Sequence, residues 1–159
     1  MNKLRSIMAY IATKYPHKNE LSKARLTKLV YLSDWFSSLL DEKQMTDIDW
    51  LFNHYGPYVD DVYDVASTDS EFSIKPEKTI YGGDKFVIAF NGNLNSVDLT
   101  DREKDIIDTI IEKTKSMYFN EFISYVYSTY PVSSNERYSH MDLVSLAKQY
   151  KSQKRTANA

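Results

Sequence analysis

LTKLVYLSDWFSSLLDEKQMTDIDWLFNHYGPYVDDVY, residues Leu26 to Tyr63, contains both tryptophans of the chain, one of its three histidines, and a Gly56-Pro57 step flanked by aromatics. In its first half Leu26, Leu29, Val30 and Phe36, joined by Leu39 and Leu40, fall on one face at helical spacing. Aspartates, a lysine and serines fill much of the other side, so a helix is predicted to about Asp41. Residues 42–49 are a polar connection. Proline is at home in the first position of a helix, where its missing N–H costs nothing. Val59, Val62, Tyr63 and Ala66 then follow at i, i+3, i+4, i+7. The stretch is therefore expected to be two helices joined by an aromatic corner, Trp50-Leu51-Phe52-Asn53-His54-Tyr55, since large aromatics fix how neighbouring elements cross.

Upstream, Leu4, Ile7, Met8, Ile11 and Tyr15 mark a helical face that Pro16 ends. Ser22 is the expected N-cap of the next helix, with Leu21 and Leu26 at the positions of a hydrophobic staple. Downstream of about Ser67 the period shifts towards two: Phe72-Ser73-Ile74 and Phe86-Val87-Ile88-Ala89-Phe90 flank Gly82-Gly83-Asp84, which predicts a β-hairpin over about 72–90. Pro76 makes its first strand an edge strand. Thr100 and Glu103 spell a capping box, followed by the stripe Ile106, Ile107, Ile110, Ile111 and Met117. Phe119, Phe122, Ile123, Val126 and Tyr130 give a further helix stopped by Pro131. Ser139 to Asp142 reads as a second capping motif before Leu143, Val144, Leu146, Ala147 and Tyr150. Residues 151–159 lack periodicity and are expected to form a flexible basic tail. The fold class is mainly α (α+β): a compact bundle of about six helices with one small hairpin inserted mid-chain, in a single domain over residues 1–150.

The bulk numbers agree with such a domain. A chain of 159 residues can bury about 70% of its unfolded surface. Thirteen tyrosines against four glycines favour aromatic-rich packing or interfaces over glycine-dependent architectures. The net charge of −2 gives no global attraction to nucleic acid. The absence of cysteine removes thiol catalysis and disulfide scaffolding and suits a reducing compartment. With no long apolar run and no signal-peptide pattern, a cytoplasmic protein is expected.

No catalytic constellation stands out. Asp60, Asp61 and Asp64 spell D-D-x-x-D, a spacing used to hold metal ions against a diphosphate, but carboxylates in the first turn of a helix also complement its dipole. His17, His54 and His140 lack paired ligand spacing, and no glycine-rich phosphate loop or G-x-S-x-G is present. His54 reads as a hydrogen-bonded structural residue because no partner for a general base is evident. No catalytic residue, metal or cofactor is therefore expected.

The ordered combination of K-L-V-Y-L (Lys28 to Leu32), Trp50 and Y-G-P-Y-V (Tyr55 to Val59) resembles the Panacea domain, also called the SocA-like antitoxin domain, of prokaryotic and phage toxin–antitoxin systems. The flanking helices and the mid-chain hairpin fall in the order this family shows. The resemblance implies a non-enzymatic antitoxin that neutralises a cognate protein toxin, encoded by an adjacent gene, through stoichiometric contact. As an alternative it implies an adaptor that hands a bound toxin to a protease. From a different class, a small metal-dependent enzyme would have to use His54 and the Asp60/Asp61/Asp64 cluster. No DNA-binding appendix is recognisable, so operator binding is not expected. Because Trp and Tyr dominate binding hot spots, the candidate partner-contacting residues are Trp35, Trp50, His54, Tyr55, Gly56, Pro57, Tyr58 and Tyr63. Most of these rings are expected in the core, and those left exposed beside Gly56-Pro57 would form the docking corner.

Overall fold

A computed structural model describes residues 2–79 and 81–157. Its order is α1 (Lys3–Lys14), a 3-10 turn, α2 (Lys23–Asp41), β1 (Trp50–Asn53), β2 (Gly56–Tyr58), α3 (Asp61–Thr68), β3 (Phe72–Lys78), β4 (Asp84–Phe90), a second 3-10 turn, α4 (Asp101–Thr114), α5 (Phe119–Ser128), α6 (Tyr130–Ser133), β5 (His140–Met141) and α7 (Leu143–Ala157). The predominantly helical α+β class is as predicted, but it carries two small antiparallel sheets, ordered β2-β1-β5 and β3-β4.

Helix α2 is the axis. It packs against α7, α4, α1, α3 and α5 and against strands β2 and β4. Enclosure on so many sides overturns the expectation of a polar face: Arg25, Thr27, Lys28, Ser33, Asp34, Ser37 and Ser38 are all buried beside Leu26, Leu29, Val30 and Leu32. The hydroxyls bond within the helix or to the chain that follows it, Ser33 donating to the Leu29 carbonyl and Ser38 to that of Asp34. Leu40, by contrast, is exposed at the helix end. Ser22 caps the N-terminus by accepting from the Arg25 amide at 3.1 Å, and Glu42 closes the other end in the left-handed region.

The β3–β4 hairpin forms in the expected place, with Phe72 opposite Phe90 and Pro76 opposite Phe86. Strand β4 is extended on its far side by residues 21–22: the Ile88 amide donates to the Leu21 carbonyl, and Ser22 bridges Val87. Helix α4 begins with the capping box of Thr100 and Glu103. Its C-terminus is met by Arg25, a fully buried cation with no carboxylate partner among the described residues. Arg25 donates to Tyr15 Oη and to the Met117 carbonyl, both at 2.9 Å, and stacks over the Phe122 ring at 4.7 Å. Tyr15 Oη in turn lies 3.3 Å from the Thr114 carbonyl. The partial negative charge of a helix C-terminus is what offsets a cation here.

Four local expectations give way. The chain from Gly56 to Tyr58 is a strand, and α3 starts only at Asp61, so Pro57 does not open a helix. As the middle residue of edge strand β2 it needs no ladder donor on its free side. Pro131 does not stop α5, which ends at Ser128, but sits in the first turn of the short α6. The second capping motif reduces to Asp142, whose carboxylate accepts from the Ser145 amide, while Ser139 instead donates to the Glu136 carbonyl. The tail expected from residue 151 is helical through Ala157, as the last turns of α7; residues 158 and 159 lie outside the described residues.

Candidate functional site

The candidate site is the β1–β2 hairpin and the part of α2 beneath it. Strand β1 alternates buried Trp50 and Phe52 with half-buried Leu51 and Asn53. The strands pair from Leu51 opposite Tyr58 to Asn53 opposite Gly56, leaving His54 and Tyr55 as a two-residue turn. On its other edge β1 pairs with β5, and the Phe52 amide donates to the Ser139 carbonyl.

Two side chains one helical turn apart on α2 hold Trp50. Tyr31 meets its ring edge to face at 5.6 Å, and Asp34 accepts from the indole Nε1 at 2.9 Å. Tyr31 Oη also shares a 2.8 Å hydrogen bond with Thr129 Oγ1. The Asp34 carboxylate, wholly enclosed, accepts further from the Met45 amide at 2.9 Å, the Thr46 amide at 3.0 Å and Thr46 Oγ1. It thereby ties the connection of residues 42–49 to the helix. Burial pushes this carboxyl up to about 6, against the downward pull of its donors from Thr46, Trp50 and Met45.

Gly56 sits at φ +99°, and a Cβ placed there would lie 2.9 Å from Tyr127 Cε1 and 3.7 Å from Lys28 Cε. Both the backbone conformation and the space therefore call for glycine. Tyr127 closes the layer by packing edge to face on Phe52 at 6.0 Å. Arg137 covers the other side of Phe52 and donates from Nε to the His54 carbonyl at 3.1 Å.

The predicted partner-contacting residues thus separate. Trp50, Gly56 and Pro57 are buried and shape the hairpin. Trp35 is 3% exposed and packs against Tyr150 of α7, away from the hairpin. His54 and Tyr55 form the exposed tip, their rings 4.5 Å apart, and Tyr138 joins them through a 3.3 Å contact between its hydroxyl and His54 Nδ1. Tyr55 is 75% and Tyr138 66% exposed. Half-buried Tyr58 of β2 and exposed Tyr63 of α3 flank the Lys23 ammonium, which lies 5.5 and 4.7 Å from their ring centres. Asp60 accepts from Tyr58 Oη at 3.0 Å and, like Asp61 and Asp64, faces solvent. His140 pairs with Asp49 at the exposed edge of β5. Among the described residues no three His, Cys, Asp or Glu side chains are grouped to hold a metal ion.

Sequence reasoning missed Lys28, Asp34, Tyr127, Arg137 and Tyr138. Lys28 and Asp34 were disguised as the polar face of an amphipathic helix, and the last three come from distant elements. Their only local signal is two charged residues inside an otherwise apolar run.

A central helix clamped by a Trp–Tyr–Gly-Pro hairpin defines a predominantly helical α+β protein with an aromatic tip. The model of the family "Antitoxin SocA-like, Panacea domain" matches residues 26–131, about two thirds of the chain. The chain belongs to that family, and the resemblance carried by Lys28–Leu32, Trp50 and Tyr55–Val59 is confirmed. Those motif residues are mutual contacts: Tyr31 with Trp50, and Lys28 with Gly56. No curated protein and no solved structure gives a significant match.

Proposed function

We propose that this protein is an antitoxin that neutralises a cognate protein toxin by direct, stoichiometric binding in the cytoplasm. Membership of the SocA-like antitoxin family carries the reading. The exposed aromatic tip of the hairpin supports it, because rigid, amphipathic rings supply contact area at low rotamer-entropy cost. Among the described residues no helix is long and apolar enough to cross a membrane, which fits a partner met in solution. A stable pair of this kind buries about 1,600 Å², with its energy concentrated in a few anchors. Tyr55, Tyr138 and Tyr63 are the anchors proposed here.

Co-expression with the toxin encoded by the neighbouring gene is expected to restore growth and to yield a co-purifying complex of fixed stoichiometry. Replacing Tyr55 and Tyr138 together by alanine should weaken the complex by at least about tenfold, the effect of one modest hot spot, with the antitoxin's own Tm unchanged. Rescue by trace amounts of this chain, far below the level of the toxin, would rule out stoichiometric inhibition and leave delivery to a protease in its place.

A further inference from the structure

Lys28 is 2% exposed. Its Cε packs against Gly56, next to the Tyr127 ring. Unlike Arg25, which has a phenol, a carbonyl and a ring face to meet its charge, the Lys28 ammonium has no hydrogen-bond or ion-pair partner among the described residues. Burial alone acts on it, pulling it down to about 8, and no nearby carboxylate pulls it back. Among the described residues, the side-chain nitrogens both sealed from solvent and unpartnered are Arg5 Nη1 and Arg25 Nε. Lys28 Nζ is not one of them, so the ammonium is not wholly sealed from solvent.

A buried, unpaired ammonium is costly to a folded chain, and an apolar side chain of similar length would fill the same space without that cost. The arrangement makes physical sense when the partner arrives from outside. We propose that Lys28 is a receptor for a carboxylate of the bound toxin, which enters beside Gly56 and Tyr127 and completes an ion pair that the free antitoxin holds half-made. This inference rests on the antitoxin reading above. The accepting carboxylate is a single Asp or Glu side chain, or the C-terminus, of the toxin. Sealed by the surrounding tyrosines on complex formation, the pair would be screened little by salt.

The test is a comparison of the wild-type chain with Lys28→Met, measuring the Kd for the neighbouring gene's toxin by calorimetry and the Tm of each free antitoxin. Lys28→Met is expected to bind at least about 100-fold more weakly, because it strands a buried carboxylate, while its own Tm stays level or rises. A merely structural lysine would lower the Tm instead. In parallel, the Lys28 Cε resonance of the wild type is titrated free and in complex: the midpoint is expected to move from about 8 to above the usual lysine value of about 10.4. A double-mutant cycle with Asn/Gln replacements of the toxin's acids, and with a toxin extended at its C-terminus, identifies the accepting carboxylate. If both antitoxins bind equally, the carboxylate receptor is overturned and the antitoxin reading stands. If Lys28→Met fails to fold, the titration decides, and an unmoved midpoint in the complex overturns the proposal. If the wild type neither binds nor rescues, the functional reading falls and takes this one with it.

Discussion

Asp34 shows how one buried charge organises a loop. Its carboxylate gathers a hydroxyl, two amides and an indole N–H, and the three N–H groups can only donate. Asp34→Asn keeps the shape but points an NH₂ at those donors, so it is expected to cost about 3 kcal/mol through stranded buried groups, measured by urea unfolding at pH 7. The pH dependence has an unusual sign. Because the folded group titrates near 6 rather than at 3.8, the folded chain holds its proton between those values while the unfolded chain releases it. The Asp34 contribution therefore falls as pH rises through that window, and the cost of burying the ion is fully present above it. The deficit of Asp34→Asn should accordingly be larger at pH 4.5 than at pH 7. At Gly56, the positive φ and the nearby Tyr127 ring make Gly56→Val cost on the order of 1–3 kcal/mol from the backbone alone. A Tm equal to wild type would show that the turn tolerates a side chain.

Among the elements, those with long periodic patterns were legible and the short one that forms the candidate site was not. Helices α1, α2 and α4 announce themselves through apolar spacing and through Ser22 and the Thr100/Glu103 box, whose side-chain bonds form as expected. Thr100→Ala should therefore lower stability by about 1 kcal/mol, the usual worth of an N-cap, in a thermal melt. The β1–β2 hairpin offers only four and three residues, too few for alternation to compete with a Gly-Pro step that suits a helix start. Trp50 and Phe52 did alternate with Leu51 and Asn53, but a single repeat of period two is also compatible with a corner. What settles the strand lies elsewhere in the chain: β5 and the Arg137–Ser139 segment close its open edge. The same distance effect hid the polar residues of α2, since no local pattern states that a helix is enclosed on every side.

For the whole molecule, the family match over residues 26–131 leaves out α1 and α7, yet both pack on α2. Leu143 and Ala147 of α7 are buried in the common core. Leu143→Ala is thus expected to cost about 3 kcal/mol as a cavity in well-packed surroundings. Truncation after Asp142 should abolish the cooperative unfolding transition, read by circular dichroism, because one face of the axial helix would meet water. The β3–β4 hairpin has a consequence of another kind. A two-stranded sheet leaves backbone donors and acceptors open along its rim, an invitation to pair with a neighbouring copy. Here residues 21–22 occupy the rim of β4, while the free rim of β3 carries Lys75, Pro76, Glu77 and Lys78. Proline and alternating charge make that rim a poor template for strand addition, so the hairpin carries its own defence against fibril growth.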